Sequence, residues 1–176
     1  MTQLFHFSDD ANIVSFSPRS VKVPSRRAPG QAWLNGPLVW AIDDWHQFMY
    51  LFPRDCPRIL LWPTATTNES DRQRFFSDPA WQKLALIESD WLKPLQTTHL
   101  YRYEFATKHF LSLNDAGMYI AKQTITPINQ IKIQQLDQHL ITHRVKLKLV
   151  DRLLDHQDLI DTSLHYSGIR LRYAKR

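Results

Sequence analysis

Two polar side chains near the start of the chain have a spacing suited to ligand binding. His6 and Ser8 fall within residues 4–8, whose alternating pattern predicts a short β-strand. Side chains two residues apart on a strand share a face, so the imidazole and the hydroxyl would lie together. Such a pair can hold a ribose or an amide by hydrogen bonds, and the alternative is a structural histidine that is hydrogen-bonded within the fold.

A charged pair with the same spacing occurs later in the chain. Arg102 and Glu104 fall on one face of a strand predicted over residues 99–106, and aromatic side chains fall on the other face. A glutamate that projects into a cleft could stabilise a cationic transition state or act as a general base. The alternative is an ion pair on a solvated face of the sheet.

A proline-stiffened segment, residues 52–58, contains two arginines that could bind phosphate. Arg54 and Arg58 could clamp a phosphate group in a bidentate manner, and the alternative is an ion pair with Asp55 that shapes the loop. Cys56 lies between the arginines, where a lowered pKa could make its thiol a nucleophile. Because Asp55 offsets the positive charge, we interpret Cys56 instead as a small buried hydrophobic residue.

Asp43, Asp44 and His46 have the side-chain types of a divalent-metal site. A metal-dependent hydrolase built on them is one hypothesis, although their spacing matches no established metal motif. The two aspartates equally suit the N-terminus of a short helix over residues 45–50. We therefore predict a helix cap with a surface histidine, and no metal ligand.

The charge of the chain favours acidic partners. The formal net charge is +5 and the isoelectric point is about 9.4, so phosphates or nucleic acid would be attracted over a long range. The alternative is a surface that is merely basic, because the arginines are spread along the chain and do not form one run. A group of cations and tyrosines at the C-terminus could bind single-stranded nucleic acid. We prefer a solvated terminal strand, because the cations are few and the tyrosines are unevenly spaced. The group comprises Arg170, Arg172, Lys175 and Arg176 with Tyr166 and Tyr173.

The composition indicates a folded protein of a reducing compartment. Hydrophobic residues make up 43% of the chain, enough to form a core. The single cysteine excludes an intramolecular disulfide. The first residues lack the pattern of a secretory signal, and no apolar stretch approaches the roughly 20 residues of a membrane helix. We therefore expect a cytoplasmic protein without a membrane partner.

The periodicity of the chain predicts strands and helices without a regular βαβ alternation. This order predicts an α+β fold, one domain over residues 1–176, with mixed or antiparallel sheets and a few helices. Residues 17–37 are rich in proline, glycine and basic residues and are predicted to form a loop. From residue 145 to 164 a strand pattern and a helix pattern overlap, and their boundary stays open. The predicted strands are 4–8, 38–42, 59–62, 99–106, 117–121, 125–133 and 169–173, and the predicted helices are 45–50, two within 69–92 separated by Pro79, and 134–141.

Several of these segments together resemble a family of uncharacterised bacterial proteins of about this length. The likeness spans most of the chain and implies no known function. It rests on residues 4–8 with Ile13, Phe16 and 18–19, on residues 39–43 and 50–58, and on the closing run 167–172.

Part of the chain also resembles the ADP-ribosyltransferase-like superfamily. Its members often open with a strand that has a His or Arg followed by a Ser or Thr, which His6 and Ser8 match. A second strand after a loop, here residues 38–42, and a later glutamate, here Glu104, complete the pattern. The tyrosine or serine–threonine element of the second strand has no clear counterpart, and Tyr50 is the nearest substitute.

This second resemblance implies an enzyme that acts on NAD or a related nucleotide, with NAD as substrate and no other cofactor. The histidine and the serine would hold the nicotinamide ribose, and Tyr50 would stack on the nicotinamide ring. Arg54 or Arg58 would meet the diphosphate, and Glu104 would stabilise the ribosyl cation. This hypothesis requires the polar sides of the first strand and of the aromatic strand to face one hollow. The alternative is a non-catalytic basic module that binds a phosphorylated ligand or nucleic acid.

Overall fold

The computed structural model describes residues 3–176 of the chain. These residues form strands, α-helices and short 3-10 helices, in an order without regular βαβ units. The strands are β1 Leu4–Ser8, β2 Val39–Asp43, β3 Arg58–Trp62, β4 Lys83–Glu88, β5 Leu100–Phe105, β6 Leu111–Ser112, β7 Met118–Ala121, β8 Asn129–Ile133, β9 Val145–Val150 and β10 His165–Ile169. The α-helices are α1 Glu69–Phe76, α2 Leu92–Thr97 and α3 Leu136–Thr142, and the 3-10 helices are Ala32–Asn35, Gln47–Tyr50, Ser89–Trp91, Thr107–His109, Leu153–Asp161 and Leu171–Tyr173.

The chain divides into two compact units, and unit 1 comprises Met1–Gln47 and Leu100–Ile133. It contains a six-stranded sheet in the order β6-β7-β2-β1-β5-β8, whose neighbouring strands run antiparallel. β1 lies between β2 and β5, so the first strand and the aromatic strand are neighbours in the sheet.

The core of unit 1 packs against one face of this sheet and is rich in aromatic side chains. Tyr103 and Phe105 of β5 are buried there together with Leu4 and Phe16. The Phe16 ring meets the rings of Tyr103 and Phe105 edge to face, at centroid distances of 5.1 and 5.0 Å. The predicted alternation of β5 is confirmed, because every second side chain of the strand enters this cluster.

Unit 2 comprises Phe48–His99 and Gln134–Arg176 and contains a four-stranded sheet in the order β10-β3-β4-β9. β3 pairs antiparallel with β10 and with β4, whereas β4 and β9 run parallel. The two central strands, β3 and β4, are buried along their whole length. Their apolar runs fit this position, since strands covered on both faces lose the alternation of half-exposed ones.

Residues 83–88 form a strand where the sequence predicted the second of two helices. α1 ends at Phe76, ahead of Pro79 as expected, but the chain then continues into β4. The apolar side chains at 84–87 suit a buried strand as well as a helix face. Pairing with β3 on one side and β9 on the other gives the backbone of β4 its hydrogen bonds. These hydrogen bonds favour the strand over the predicted helix.

The end of the chain also differs from the prediction. The last strand is β10, and residues 171–173, predicted as strand, form a 3-10 helix. Arg170 separates the two elements, and its left-handed backbone, with φ of 58°, ends the extended conformation. In residues 145–164, where the sequence left the boundary between strand and helix open, the structure has β9 followed by the 3-10 helix Leu153–Asp161.

Two sheets with a few helices confirm the predicted α+β class, with one antiparallel and one mixed sheet. An ADP-ribosyltransferase-like fold is not shown by this arrangement. The prediction of one domain over residues 1–176 stays a prediction. None of the helices between Gln3 and Arg176 has both the length and the apolar composition needed to cross a membrane.

Candidate functional site

His6 and Ser8 lie on the aromatic face of the unit 1 sheet. In the ladder between β1 and β5, His6 is opposite Tyr103, and directly opposite residues share a face. Nδ1 of His6 lies 3.0 Å from the carbonyl oxygen of Trp40, and its ring centre lies 4.8 Å from that of Phe16. Ser8 is buried. This environment matches the structural histidine that the sequence allowed as an alternative.

Glu104 lies on the other face of the same sheet, where its partner in the ladder is Phe5. Arg102 shares that face, with its guanidinium carbon 4.4 Å from the centre of the Phe5 ring. Nη1 of Arg102 donates to Oε1 of Gln47 at 2.8 Å. Burial lowers the pKa of Arg102, and the negative charge of Glu104 acts against that shift. The charge of Glu104 thus reaches Arg102, but the contacts of the guanidinium are with Gln47 and Phe5.

The register contradicts the shared hollow that the transferase hypothesis requires. β1 and β5 are neighbours, but the polar side chains of β1 lie on the same face of the sheet as the aromatic side chains of β5. His6 and Glu104 consequently project from opposite faces of one sheet. A shift of the pairing by a single residue would have placed them on the same face, because side chains alternate with a period of two.

Asp43, Asp44 and His46 form hydrogen bonds around the turn that follows β2. Oδ1 of Asp43 accepts a hydrogen bond from the backbone N–H of His46 at 2.8 Å and lies 2.8 Å from Nδ1 of the same residue. Oδ1 of Asp44 accepts instead from the side chain of Gln47 at 2.6 Å. Between residues 3 and 176, no three His, Cys, Asp or Glu side chains are grouped to hold a metal ion. The aspartates organise a turn where the sequence predicted the cap of a helix over residues 45–50, and the helix that follows is the shorter 3-10 helix Gln47–Tyr50.

Arg58, at the start of β3, is almost completely buried in unit 2, with 3% of its surface exposed. Its Nε donates to the carbonyl oxygen of Met49 and its Nη1 to that of Cys56, both at 2.9 Å. The guanidinium carbon lies 4.9 Å from the centre of the Phe52 ring. Over residues 3–176, no carboxylate forms an ion pair with Arg58 and no residue accepts a hydrogen bond from its Nη2.

Tyr50 and Arg170 lie close enough to Arg58 for their charges to interact. β10 pairs with β3 so that Ile169 is opposite Arg58, and Arg170 is the next residue along the chain. Burial raises the pKa of Tyr50, and the two arginines act against that rise. The pKa of Arg58 falls to about 10, mainly because burial disfavours its charge and in part because Arg170 is a second cation. We call Tyr50, Arg58 and Arg170 the Arg58 cluster.

The predicted site residues divide between the two units. Unit 2 brings Tyr50 and Arg58 together, while Arg54 is exposed in the turn before β3. Unit 1 contains His6, Ser8 and Glu104.

Sequence reasoning missed the contribution of Arg170 to this cluster and treated it as one of several tail cations. Two of the other tail cations have contacts of their own: Nη2 of Arg172 lies 3.4 Å from the hydroxyl of Tyr173, and Nζ of Lys175 pairs with Asp90 at 2.8 Å. The only local signal was a basic residue within the segment predicted as the last strand, residues 169–173. Its proximity to Arg58 depends on the pairing of β10 with β3, which the sequence does not show.

Cys56 is fully buried, as interpreted from the sequence, and its Sγ lies 3.6 Å from the carbonyl oxygen of Pro57. Burial raises the pKa of its thiol to about 12, and the nearby charge of Arg58 reverses only part of that shift. The reactive species of a cysteine is the thiolate. We therefore expect no reaction with Ellman's reagent at pH 8 in the native protein and complete reaction in guanidinium chloride. Rapid labelling of the native thiol would contradict this prediction.

Comparison with known proteins places the chain in a family without assigning an activity. A search of curated proteins and a search of solved structures each returned no match. A family model described as "Family of unknown function (DUF6886)" matches residues 5–174. The predicted resemblance to an uncharacterised family is confirmed, whereas the likeness to ADP-ribosyltransferases is not shown. Because the match covers almost the whole chain, from β1 to the last 3-10 helix, the protein belongs to the DUF6886 family.

Proposed function

We propose that this protein is a binding module for a phosphorylated small molecule, which it holds at the Arg58 cluster. The observation behind the proposal is a buried guanidinium with no carboxylate partner in residues 3–176. Burying an unpaired charge costs several kcal/mol, even after relaxation of the protein around it. A bound anion would supply the missing negative charge.

The two hydrogen bonds of Arg58 orient its side chain without neutralising it. The carbonyl oxygens of Met49 and Cys56 accept from Nε and Nη1 but have no net charge. A guanidinium has five N–H donors, so both hydrogens of Nη2 and the second hydrogen of Nη1 are left for a ligand. Donors on two adjacent nitrogens match the spacing of two phosphate oxygens.

The neighbours of Arg58 favour a phosphate monoester over a carboxylate. Arg170 brings a second positive charge to the cluster, and a monoester is close to a dianion at neutral pH whereas a carboxylate has one charge. Tyr50 adds a hydroxyl group to the surroundings of Arg58. The net charge of +5 would attract such a ligand from a distance.

Thermal unfolding with and without phosphate tests this proposal. We expect inorganic phosphate, added at about 100 times its Kd, to raise Tm by about 5–10 °C relative to chloride at equal ionic strength. Arg170→Ala should abolish this rise, because it removes one of the two cations. The same variant should be at least as stable as the wild type without phosphate, because it also removes a repulsion between like charges.

Arg172→Ala is the matched control for the phosphate experiment. Arg172 follows Arg170 by two residues and is exposed, so its loss changes the net charge equally without touching the cluster. We expect this variant to keep the full response to phosphate. An equal response in the wild type and in Arg170→Ala, or no response in either protein, would refute the binding module.

The transferase hypothesis makes a separate prediction, namely that the protein consumes NAD and that Glu104→Gln stops the reaction. It has less support, because His6 and Glu104 do not share a face of the sheet. NAD that binds without turnover, and whose binding is lost in Arg170→Ala, would fit the binding module. Turnover that depends on Glu104 would favour the enzyme instead.

A further inference from the structure

The longest stretch of unit 1 without an acidic residue is also basic. No Asp or Glu occurs between residues 11 and 42, whereas Arg19, Lys22, Arg26 and Arg27 all occur there. Arg19, Lys22 and Arg26 are exposed. These four cations belong to residues 17–37, which we call the basic loop. Their charges are not offset within the loop, so this part of unit 1 attracts polyanions.

Hydrogen bonds to Asn35 give the basic loop a defined shape. Oδ1 of Asn35 accepts from the backbone N–H of Ser25 at 3.1 Å and from Nε of Arg27 at 3.4 Å. Nδ2 of Asn35 donates to the carbonyl oxygen of Ser25 at 2.9 Å. Backbone hydrogen bonds between Arg19 and Leu38 tie the start of the loop to the residue before β2. The cations are thus presented on an ordered segment, which lowers the entropy cost of binding.

Two tryptophan rings, Trp33 within the loop and Trp40 just after it, each have a cation over them. Trp33 is 47% exposed, and Nζ of Lys122 lies 5.2 Å from the centre of its ring. The guanidinium carbon of Arg27 lies 5.6 Å from the ring centre of Trp40. An exposed indole next to cations is suited to stack on a base while the cations meet the phosphates.

We propose that the basic loop, together with Trp33 and Lys122, binds single-stranded nucleic acid. The cations of the loop contact successive phosphates, and the ring of Trp33 stacks on one base. The combination of several cations with a flat exposed ring favours a nucleic acid over an acidic protein, which has no base to stack. This surface belongs to unit 1, whereas the Arg58 cluster belongs to unit 2.

Fluorescence anisotropy with a labelled oligothymidylate of about 12 nucleotides, within the site size of single-strand binders, tests the proposal. We expect binding that weakens as salt increases, with a slope of about −0.7 on logarithmic axes for each phosphate contact. The double variant Lys22→Ala/Arg26→Ala should reduce this slope by about one or more. Trp33→Ala should weaken binding roughly tenfold and leave the slope unchanged, because stacking releases no counterions.

Lys108→Ala serves as the charge control, because Lys108 is exposed in unit 1 but outside the basic loop. It should bind the oligonucleotide like the wild type. No binding at low salt would overturn the proposal, as would binding that Trp33→Ala and Lys108→Ala leave equally unchanged. Binding to vesicles with anionic lipid, without binding to the oligonucleotide, would overturn it in favour of a membrane surface.

Discussion

Glu88→Ala should lower the free energy of unfolding by about 3 kcal/mol or more. Glu88 is buried at the end of β4, and its Oε1 accepts hydrogen bonds from the backbone N–H groups of Leu153 and Lys175, at 3.1 and 2.8 Å. Its removal takes away both hydrogen bonds, the buried one to Leu153 and the partly buried one to Lys175, and it leaves a buried donor unsatisfied, which costs about 1–3 kcal/mol. Urea unfolding followed by tryptophan fluorescence measures the loss.

Two variants compare the hydrogen bonds of Glu88 with the other contacts that could anchor the C-terminal segment. Glu88→Gln keeps a carbonyl oxygen near the position of Oε1, so it should retain most of the stability that Glu88→Ala loses. Asp90→Ala removes the exposed ion pair with Lys175, where solvent screening keeps the effect on stability small. If Asp90→Ala were as costly as Glu88→Ala, the buried hydrogen bonds would not be the anchor of the C-terminal segment.

Gly117→Ala should destabilise unit 1 by about 3 kcal/mol, from strain and overlap together. Gly117 has a left-handed backbone with φ of 67°, which costs an L-residue about 1–2 kcal/mol. A Cβ at this position would overlap Nδ1 of His46 and come within 2.6 Å of Cγ of Asp43. Those two side chains hold each other by hydrogen bonds, so they cannot move apart freely. The measurement is again the free energy of unfolding in urea.

Gly30→Ala is the matched control for Gly117→Ala. Gly30 also has a positive φ, of 80°, but a Cβ there would meet nothing within 4 Å. We expect it to cost only the backbone strain of about 1–2 kcal/mol. The difference between the two variants measures the close packing of the turn around Asp43 and His46. Equal losses in both would mean that this turn adapts and does not constrain the histidine.

The contrast between Arg58 and His6 shows how far a side chain's role can be read from its neighbours in the chain. The phosphate-binding role proposed for Arg58 came from a local feature, a basic segment stiffened by prolines, and the buried side chain still supports it. The roles proposed for His6 and Glu104 depended on which face each strand turns to its neighbour. An alternation of polar and apolar residues defines the two faces of a strand. It does not determine which of them shares a face of the sheet with the polar residues of the neighbouring strand.

β4 and Arg170 illustrate the same limit for the fold and for the site. The apolar residues 84–87 suit a strand as well as a helix, and only the pairing with β3 and β9 distinguishes them. Arg170 lies far from Arg58 in the chain and reaches it through the pairing of β10 with β3. Contacts between distant segments depend on the closure of long loops and on backbone hydrogen bonds, which leave no local pattern.

The sequence by itself determined the α+β class, the alternation of β1 and β5, and the burial of Cys56, because each follows from local spacing and polarity. The tertiary structure alone decided the register that separates His6 from Glu104 and the strand order that brings Arg170 to Arg58. The physical reason is that a one-residue change of register exchanges the faces of a strand while its hydrophobic pattern stays the same.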